Sequence, residues 1–259
     1  MNGTSSSQLG YLIVGHGTRD PVGRAEFGEV VRRIAERSSL PVAGGLLELA
    51  EPTIAQGLAE LAQRGVRRVF VTPLLLFAAG HAKEDVPREV ARVAAELGLV
   101  VAGMSGALER SAPLLELSAL RFGEAWAGAN AAAKPALLLV GRGGSDQAAL
   151  EAMRSYTAAL GRKLQVHAVA AFAAKATPTV GEAIAELSGR GVRQVIVQPH
   201  LLFAGEVSQS INLQVAMAGE RHPEVNLLLV HHLGPDSRLI AAIAEKMTID
   251  NPNKKPGRT

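Results

Sequence analysis

Two histidines of this chain directly follow apolar stretches that read as buried strands. They lie in Gly15-His16-Gly17 and Gly80-His81-Ala82. A neutral imidazole binds borderline metal ions such as Fe²⁺ and Co²⁺, and it can also accept a proton near neutral pH. The neighbouring glycines leave room for a ligand to approach the backbone. The pattern predicts that His16 and His81 share a functional role at this edge of the fold.

The second half of the chain repeats the first half but lacks both histidines. With an offset of 126 residues, the segment 11–15 corresponds to 137–141, and His16 corresponds to Arg142. His81 falls on Val207, or on Glu206 if one gap is allowed. A duplicated fold that keeps its core but changes its polar loop residues indicates one working half and one supporting half.

Glu48 is the acidic candidate. It lies in Leu47-Glu48-Leu49, a position that we expect to be half buried, and perturbed carboxylates of this kind often act as acids or bases. Its counterpart in the second half is Ala174. Glu51 is better explained as the start of a helix, where a carboxylate interacts favourably with the helix dipole.

The hydrophobic pattern predicts alternating strands and helices. In the first half the expected strands are Leu9–Val14, Leu40–Leu47, a strand within Val66–Phe77, and Leu99–Gly103. The expected helices are Arg24–Arg37, a helix opened by Glu51-Pro52-Thr53 with proline in its first turn and ended by Arg64-Gly65, Asp85–Leu97, and Ser111–Trp126.

This alternation implies parallel strands joined by right-handed crossovers, with helices on both faces of each sheet. We therefore predict an α/β fold of two tandem, doubly wound parallel-sheet domains related by internal duplication. The predicted domains are residues 1–128, which carry the active histidines, and residues 129–259, a degenerate repeat that completes the cleft. The predicted linker is the segment 123–135, which is rich in alanine and glycine.

Ligands of such sheets bind beyond the carboxyl ends of the strands. We expect His16, Glu48 and His81 to lie there, because each follows a predicted strand. The basic residues expected near the cleft are Arg19, Lys83, Arg88, Arg142 and Lys175. Ordinary solvated surface is the alternative for each of them. Arg142 is of special interest because it replaces His16 and can make a forked contact with a carboxylate.

Composition excludes several classes of protein. The chain has no cysteine, which rules out disulfides and thiolate ligands and fits a reducing, cytoplasmic location. The formal net charge of +3 gives no indication of nucleic-acid binding. We expect no membrane partner, because no uncharged apolar run approaches ~18 residues. A glycine-rich dinucleotide fingerprint and a Walker sequence are both absent, so neither a dinucleotide nor ATP is expected.

Three blocks of sequence resemble the class II tetrapyrrole chelatases, specifically the sirohydrochlorin chelatases. The blocks are the segments 14–19 (Val-Gly-His-Gly-Thr-Arg), 47–52 (Leu-Glu-Leu-Ala-Glu-Pro) and 73–81, the last followed by Asp85-Val86-Pro87. Their order and spacing match the family. The duplication resembles the long two-repeat bacterial form, in which the N-terminal half keeps the active histidines.

The resemblance implies a chelatase-like fold and the ATP-independent insertion of Fe²⁺ or Co²⁺ into sirohydrochlorin, a step of sirohaem or cobalamin biosynthesis. It implies that His16 and His81 present the metal and that Glu48 assists as an acid or base. The substrate carries many carboxylates, which would be oriented by a set of basic side chains: Arg19, Lys83, Arg142 and Lys175. No cofactor beyond the substrate metal is expected, and we expect a monomer because the two halves mimic a dimer.

The physiological metal stays open. Some long cobalt-type relatives add a histidine-rich segment or a cysteine cluster near the C-terminus, and this chain has neither, which slightly favours iron. Two other functions are compatible with the same residues. One is a carrier that holds a metal or a tetrapyrrole without turnover, and the other is a phosphate-ester hydrolase that uses His16 beside Arg19.

Overall fold

The computed structural model describes residues 9–77, 82–109, 111–127 and 134–249. These residues form eight strands and eight helices in strict alternation. The strands are β1 (Leu9–Gly15), β2 (Val42–Leu46), β3 (Arg68–Pro73), β4 (Val100–Met104), β5 (Ala136–Gly141), β6 (Ala168–Phe172), β7 (Gln194–Pro199) and β8 (Asn226–Leu229). The helices are α1 (Pro21–Arg37), α2 (Ile54–Gln63), α3 (Ala82–Glu96), α4 (Ala112–Ala127), α5 (Gln147–Leu164), α6 (Val180–Gly189), α7 (Glu206–Arg221) and α8 (Ser237–Ile249).

The strands form two four-stranded parallel sheets with the same order. The first sheet has the order β2-β1-β3-β4 and the second has β6-β5-β7-β8. In the first sheet Val14 of β1 is in register with Gly45 of β2 and with Pro73 of β3. The carboxyl ends of these three neighbouring strands therefore lie side by side. The predicted α/β class and internal duplication are confirmed.

Both faces of the first sheet are covered, which explains why its strands are apolar without alternation. One face packs against α2 and α3 through side chains such as Leu12, Val71, Leu58 and Val90, none of which is exposed. On β3 the neighbouring residue Phe70, which points to the opposite face, is also fully buried. Because β1, β2 and β3 are buried on both faces, the ends of these strands and their loops are where polar chemistry can occur.

Two helix starts differ from the sequence prediction. α1 begins at Pro21, three residues before the expected Arg24, because the Asp20 side chain accepts hydrogen bonds from the backbone N–H groups of Val22 and Gly23 at 2.8 and 3.3 Å. α2 begins at Ile54, so the prediction of proline in its first turn was wrong. Thr53 is the N-cap of α2 and forms a capping box with Gln56, whereas Pro52 precedes the cap and follows a cis peptide bond.

The compact units differ from the predicted halves, 1–128 and 129–259. The first unit contains β1–β4, α1–α3 and α8, and the second contains α4, β5–β8 and α5–α7. Each repeat thus contributes its closing helix to the unit of the other repeat. The predicted linker was also too long, because α4 continues through Gly123 to Ala127.

Candidate active site

The loops after β1 and β2 continue the backbone pairing of their strands, and this brings His16 beside Glu48. Gly15 is the last residue of β1 and is in register with Leu46, the last residue of β2. Beyond the strands, the N–H of Leu47 donates to the carbonyl of Gly15 at 3.0 Å. The N–H of Glu48 donates to the carbonyl of His16 at 3.1 Å. Two residues that are 32 positions apart in the sequence are therefore held at the same level of the sheet edge.

His16 and Glu48 make a direct side-chain contact. The imidazole Nε2 lies 3.3 Å from the carboxylate Oε1, and the two side chains are 40% and 52% exposed. The sequence predicts a half-buried Glu48, and about half of its side chain is covered in the structure. Nδ1 of His16 is buried and has no hydrogen-bond partner among the described residues. The solvent-facing nitrogen of the ring is thus the one beside the carboxylate.

The space beside the glycines on either side of His16 is occupied by other protein atoms. A Cβ built on Gly17 would lie 1.8 Å from the carbonyl oxygen of Glu48, and Gly17 has a φ of +110°, which L side chains rarely adopt. A Cβ on Gly15 would lie 2.8 Å from Cδ2 of Leu46. The sequence prediction gave these glycines the role of admitting a ligand. The structure shows that Gly17 admits the Glu48 loop.

The backbone turns sharply just after Glu48. The N–H of Ala50 donates to the carbonyl of Glu48 at 2.9 Å, which closes a three-residue turn around Leu49. Leu49 has a φ of +68°, and the residue is 47% exposed. The sequence offered no signal of this conformation, because leucine gives no local preference for positive φ.

The third member of the predicted triad, His81, lies outside the described residues. The neighbouring elements constrain where its loop starts and ends. β3 ends at Pro73, the N–H of Leu74 donates to the carbonyl of Val14 at 2.7 Å, and α3 begins at Ala82. The loop that carries His81 therefore leaves from the same sheet edge as His16. That the two imidazoles meet stays a prediction.

Among the predicted basic residues of the first unit, Arg19 is exposed in the loop between β1 and α1. Lys83 belongs to the first turn of α3, and the position of its side chain lies outside the description. Arg88 pairs with Asp85 on the surface of α3 at 2.6 Å, so the solvated-surface interpretation fits it. Arg19 is thus accessible from solvent next to the His16 loop.

The second unit repeats the architecture of the two loops with different side chains. The N–H of Ala174 donates to the carbonyl of Arg142 at 3.1 Å, as Glu48 does to His16. A Cβ on Gly143 would lie 1.9 Å from the carbonyl oxygen of Ala174, and Lys175 has a φ of +56°. Arg142 and Lys175 are both exposed at the carboxyl ends of β5 and β6. The scaffold is therefore shared by the two repeats, while Arg142 replaces His16, Ala174 replaces Glu48 and Lys175 replaces Leu49.

Other potential ligands do not gather around this pair. Within the described part of the chain, no group of three or more histidine, aspartate or glutamate side chains could hold a metal ion. His200 belongs to the core: it is 2% exposed, and its ring contacts that of Tyr156 with a centroid separation of 4.5 Å and an interplanar angle of 40°. Burial lowers the pKa of His200 to about 3, so this imidazole is neutral at pH 7.

Comparison with solved structures identifies the class to which this duplicated fold belongs. SirB from Bacillus subtilis with Fe³⁺ matches with a TM-score of 0.82 and 25% sequence identity, over 95% of this chain and 96% of that one. The two four-stranded sheets with their flanking helices are thus the chelatase fold in its two-repeat form.

Family assignment rests on both repeats. The CbiX family model matches residues 10–125 and 136–249, so this chain belongs to the CbiX family. A sirohydrochlorin ferrochelatase of Priestia megaterium is 30% identical over 205 residues, which is 77% of this chain and 75% of that protein. A sirohydrochlorin cobaltochelatase of the same organism is 26% identical over 240 residues, which is 91% of this chain and 78% of that protein. None of the described helices is both long and apolar enough to cross a membrane.

Proposed function

We propose that this protein inserts Fe²⁺ or Co²⁺ into sirohydrochlorin without ATP, and that His16 and Glu48 lie at the centre of the reaction. The observation that carries the proposal is the 3.3 Å contact between Nε2 of His16 and Oε1 of Glu48, at the strand ends of a chain of the CbiX family. The similar cobaltochelatase and ferrochelatase support the reaction. Which of the two metals this protein inserts has to be determined by experiment.

The metal would bind first to the exposed edge of the His16 ring. Two ligand atoms that are 3.3 Å apart and each ~2.1 Å from one ion subtend about 100° at that ion, an angle compatible with tetrahedral or octahedral coordination. His16 and Glu48 can therefore share one metal ion. His81 is the proposed third ligand, and the remaining coordination positions would be left for the nitrogens of the ring.

Weak metal binding suits a protein that must release the ion into its substrate. A histidine that binds metal through Nε2 carries its proton on Nδ1, and metal sites usually provide an acceptor for that proton, which raises affinity. No described residue accepts a hydrogen bond from Nδ1 of His16. The chain has no cysteine, so it offers no thiolate that would hold the ion tightly.

Insertion also releases two pyrrole protons, which need acceptors at the same place. Neutral imidazole accepts a proton near pH 7, and a carboxylate at hydrogen-bond distance can take or relay another. The His16–Glu48 pair supplies one group of each kind, and both are exposed enough to meet a substrate. Their contact would let a proton taken by one group pass to the other and then to solvent.

The carboxylates of the substrate would be held by cations. We propose this role for Arg19 and Lys83 of the first repeat and for Arg142 and Lys175 of the second. The support is that Arg19, Arg142 and Lys175 are exposed on loops at strand ends, where ligands of α/β folds bind. A cytoplasmic location and a monomeric state stay predictions, and the second can be tested by light scattering.

Replacing His16 by arginine tests the proposal while keeping the loop intact. Arg142 occupies the same backbone site in the second repeat, so the loop accommodates an arginine. We expect His16→Arg to lower turnover by at least about 100-fold, because the metal ligand and the proton acceptor are both lost. Turnover is followed anaerobically from the absorption of sirohydrochlorin with Fe²⁺, Co²⁺ and Ni²⁺ in separate reactions.

His167→Arg is the matched control, because it makes the same chemical change at an exposed position outside both loops. It should retain the activity of the unaltered protein. An unaltered protein that is no faster than a protein-free reaction with every metal would reject the chelatase function. Stoichiometric binding of metal or tetrapyrrole without turnover would then favour the carrier.

A further inference from the structure

Leu49 is held in a backbone conformation that does not suit leucine. Its φ of +68° lies in the left-handed region, where a bulky side chain crowds the following carbonyl group. The hydrogen bond from Ala50 N–H to the Glu48 carbonyl, 2.9 Å long, closes the tight turn around it. Glycine or asparagine would take this conformation at a lower cost in free energy.

The loop imposes this conformation whatever side chain it carries. Backbone hydrogen bonds from Leu47 and Glu48 to the β1 loop hold the segment before Leu49, and the N–H of Leu46 donates to the carbonyl of Pro52 at 2.7 Å beyond it. In the second repeat the same loop holds Lys175 at a φ of +56°. The residue type at this position is therefore free to serve something other than the backbone.

Leu49 carries a second cost in free energy, because it is a large apolar residue that is 47% exposed. Its neighbours in sequence are otherwise placed: Leu47 packs against the core and Glu48 contacts His16. An apolar residue is thus exposed to solvent one position after Glu48, where a strained backbone and an exposed apolar surface coincide. A strained leucine at a position that glycine or asparagine would occupy at a lower cost points to a role in function.

We propose that Leu49 contacts the apolar face of the tetrapyrrole ring and helps to place the ring over the His16–Glu48 pair. This inference rests on the proposed function and adds a substrate-contacting residue to it. Leu49 touches the ring and not the metal. Its loss should therefore weaken binding of sirohydrochlorin and leave the apparent affinity for the metal unchanged.

The test uses two substitutions that separate apolar contact from backbone conformation. Leu49→Asn keeps a similar size, suits positive φ and removes the apolar surface. Leu49→Met keeps the apolar surface. We expect Leu49→Asn to raise the Kd for sirohydrochlorin, measured by titration without metal, by about tenfold, as the loss of one buried aliphatic contact predicts. Its KM for sirohydrochlorin should rise in parallel. Its KM for the metal should not change, and Leu49→Met should stay within about twofold of the unaltered protein.

Gln165→Asn is the matched control for backbone strain. Gln165 is exposed at the end of α5 with a φ of +56°, outside both loops of the site. Asparagine suits positive φ, so Gln165→Asn and Leu49→Asn should both raise thermal stability. Gln165→Asn should do so without altering the binding of sirohydrochlorin.

Each outcome separates the contact from the reaction. An unchanged Kd in Leu49→Asn would overturn the contact, and an equal weakening in Leu49→Met would overturn its apolar nature. An unaltered protein that binds sirohydrochlorin through Leu49 but does not turn over with any metal would reject the proposed function and leave the contact standing.

Discussion

A glycine follows His16, and another follows Arg142, although these two residues can do quite different chemistry. In each case a Cβ on the glycine would lie within 2 Å of a carbonyl oxygen of the neighbouring loop, at Glu48 for Gly17 and at Ala174 for Gly143. The glycine is therefore a requirement of the paired loops and not of the side chain that they present. This explains how the second repeat could lose its His–Glu pair without losing its fold.

Comparing Gly17→Ala with Gly143→Ala separates the positioning of His16 from general stability. Both substitutions force a backbone clash at positive φ, so each should lower the free energy of unfolding by about 1–3 kcal/mol. Only Gly17→Ala moves His16 relative to Glu48, and it should lower kcat by at least about tenfold. Urea denaturation and metal-dependent turnover measure the two effects, and a kcat in Gly17→Ala as high as in Gly143→Ala would contradict the positioning role.

The helices of the second unit are tied together by buried polar groups. The hydroxyl of Tyr156 on α5 donates to the carbonyl of Leu114 on α4 at 3.0 Å and lies 3.0 Å from Oγ of Ser118. The ring of His200, which follows β7, contacts the same tyrosine ring at an interplanar angle of 40°. Burial raises the pKa of Tyr156 and lowers the pKa of His200, so both side chains stay neutral near pH 7. The first repeat has Leu74 at the position of His200.

This buried histidine should make the protein sensitive to acid. The pKa of His200 falls from 6.5 in the unfolded chain to about 3 in the folded one, so below pH 6.5 the unfolded state binds the proton and stability falls. The loss approaches about 1.4 kcal/mol per pH unit and continues until the pH nears 3.

His200→Leu, which copies Leu74, should remove this loss. Between pH 7 and pH 5 the variant should lose about 2 kcal/mol less free energy of unfolding than the unaltered protein, measured by urea denaturation at both pH values. His167→Leu, which makes the same substitution at an exposed histidine, is the matched control. An equal loss in His200→Leu and in the unaltered protein would show that His200 is protonated in the folded state.

The two repeats exchange their closing helices. α4, from the first repeat, belongs to the second compact unit, where Leu114, Leu117 and Phe122 have no exposed surface. α8, from the second repeat, belongs to the first unit, with Leu239 and Ile243 equally buried. Each sheet therefore needs a helix from the other repeat to complete its core.

The exchange predicts that one repeat will not fold alone as a monomer. A fragment of residues 1–128 would lack α8 and expose the apolar face of α4, so it should aggregate or dimerise. Coexpression with residues 129–259 should restore a soluble one-to-one complex. Size-exclusion chromatography and circular dichroism test this, and a monomeric 1–128 fragment with cooperative unfolding would contradict it.

The fold class and the internal duplication of this protein could be predicted from its sequence alone. The apolar strands between amphipathic helices predicted the parallel α/β class, because a strand buried on both faces leaves no alternation. The offset of 126 residues predicted the duplication, and the change from His16 to Arg142 is the basis for the prediction that the first repeat carries the metal chemistry. These features are local or repeat along the chain, so they are visible in the sequence without the fold.

Only the tertiary structure decided how these residues meet. The contact of His16 with Glu48, the packing of Gly17 against the Glu48 carbonyl and the left-handed turn at Leu49 all depend on two loops that approach in space. The exchange of α4 and α8 is invisible in the sequence, because each helix has an apolar face that would suit either unit. The local hydrophobic pattern predicts that the apolar face of each helix is buried. The path of the whole chain determines which sheet that face packs against.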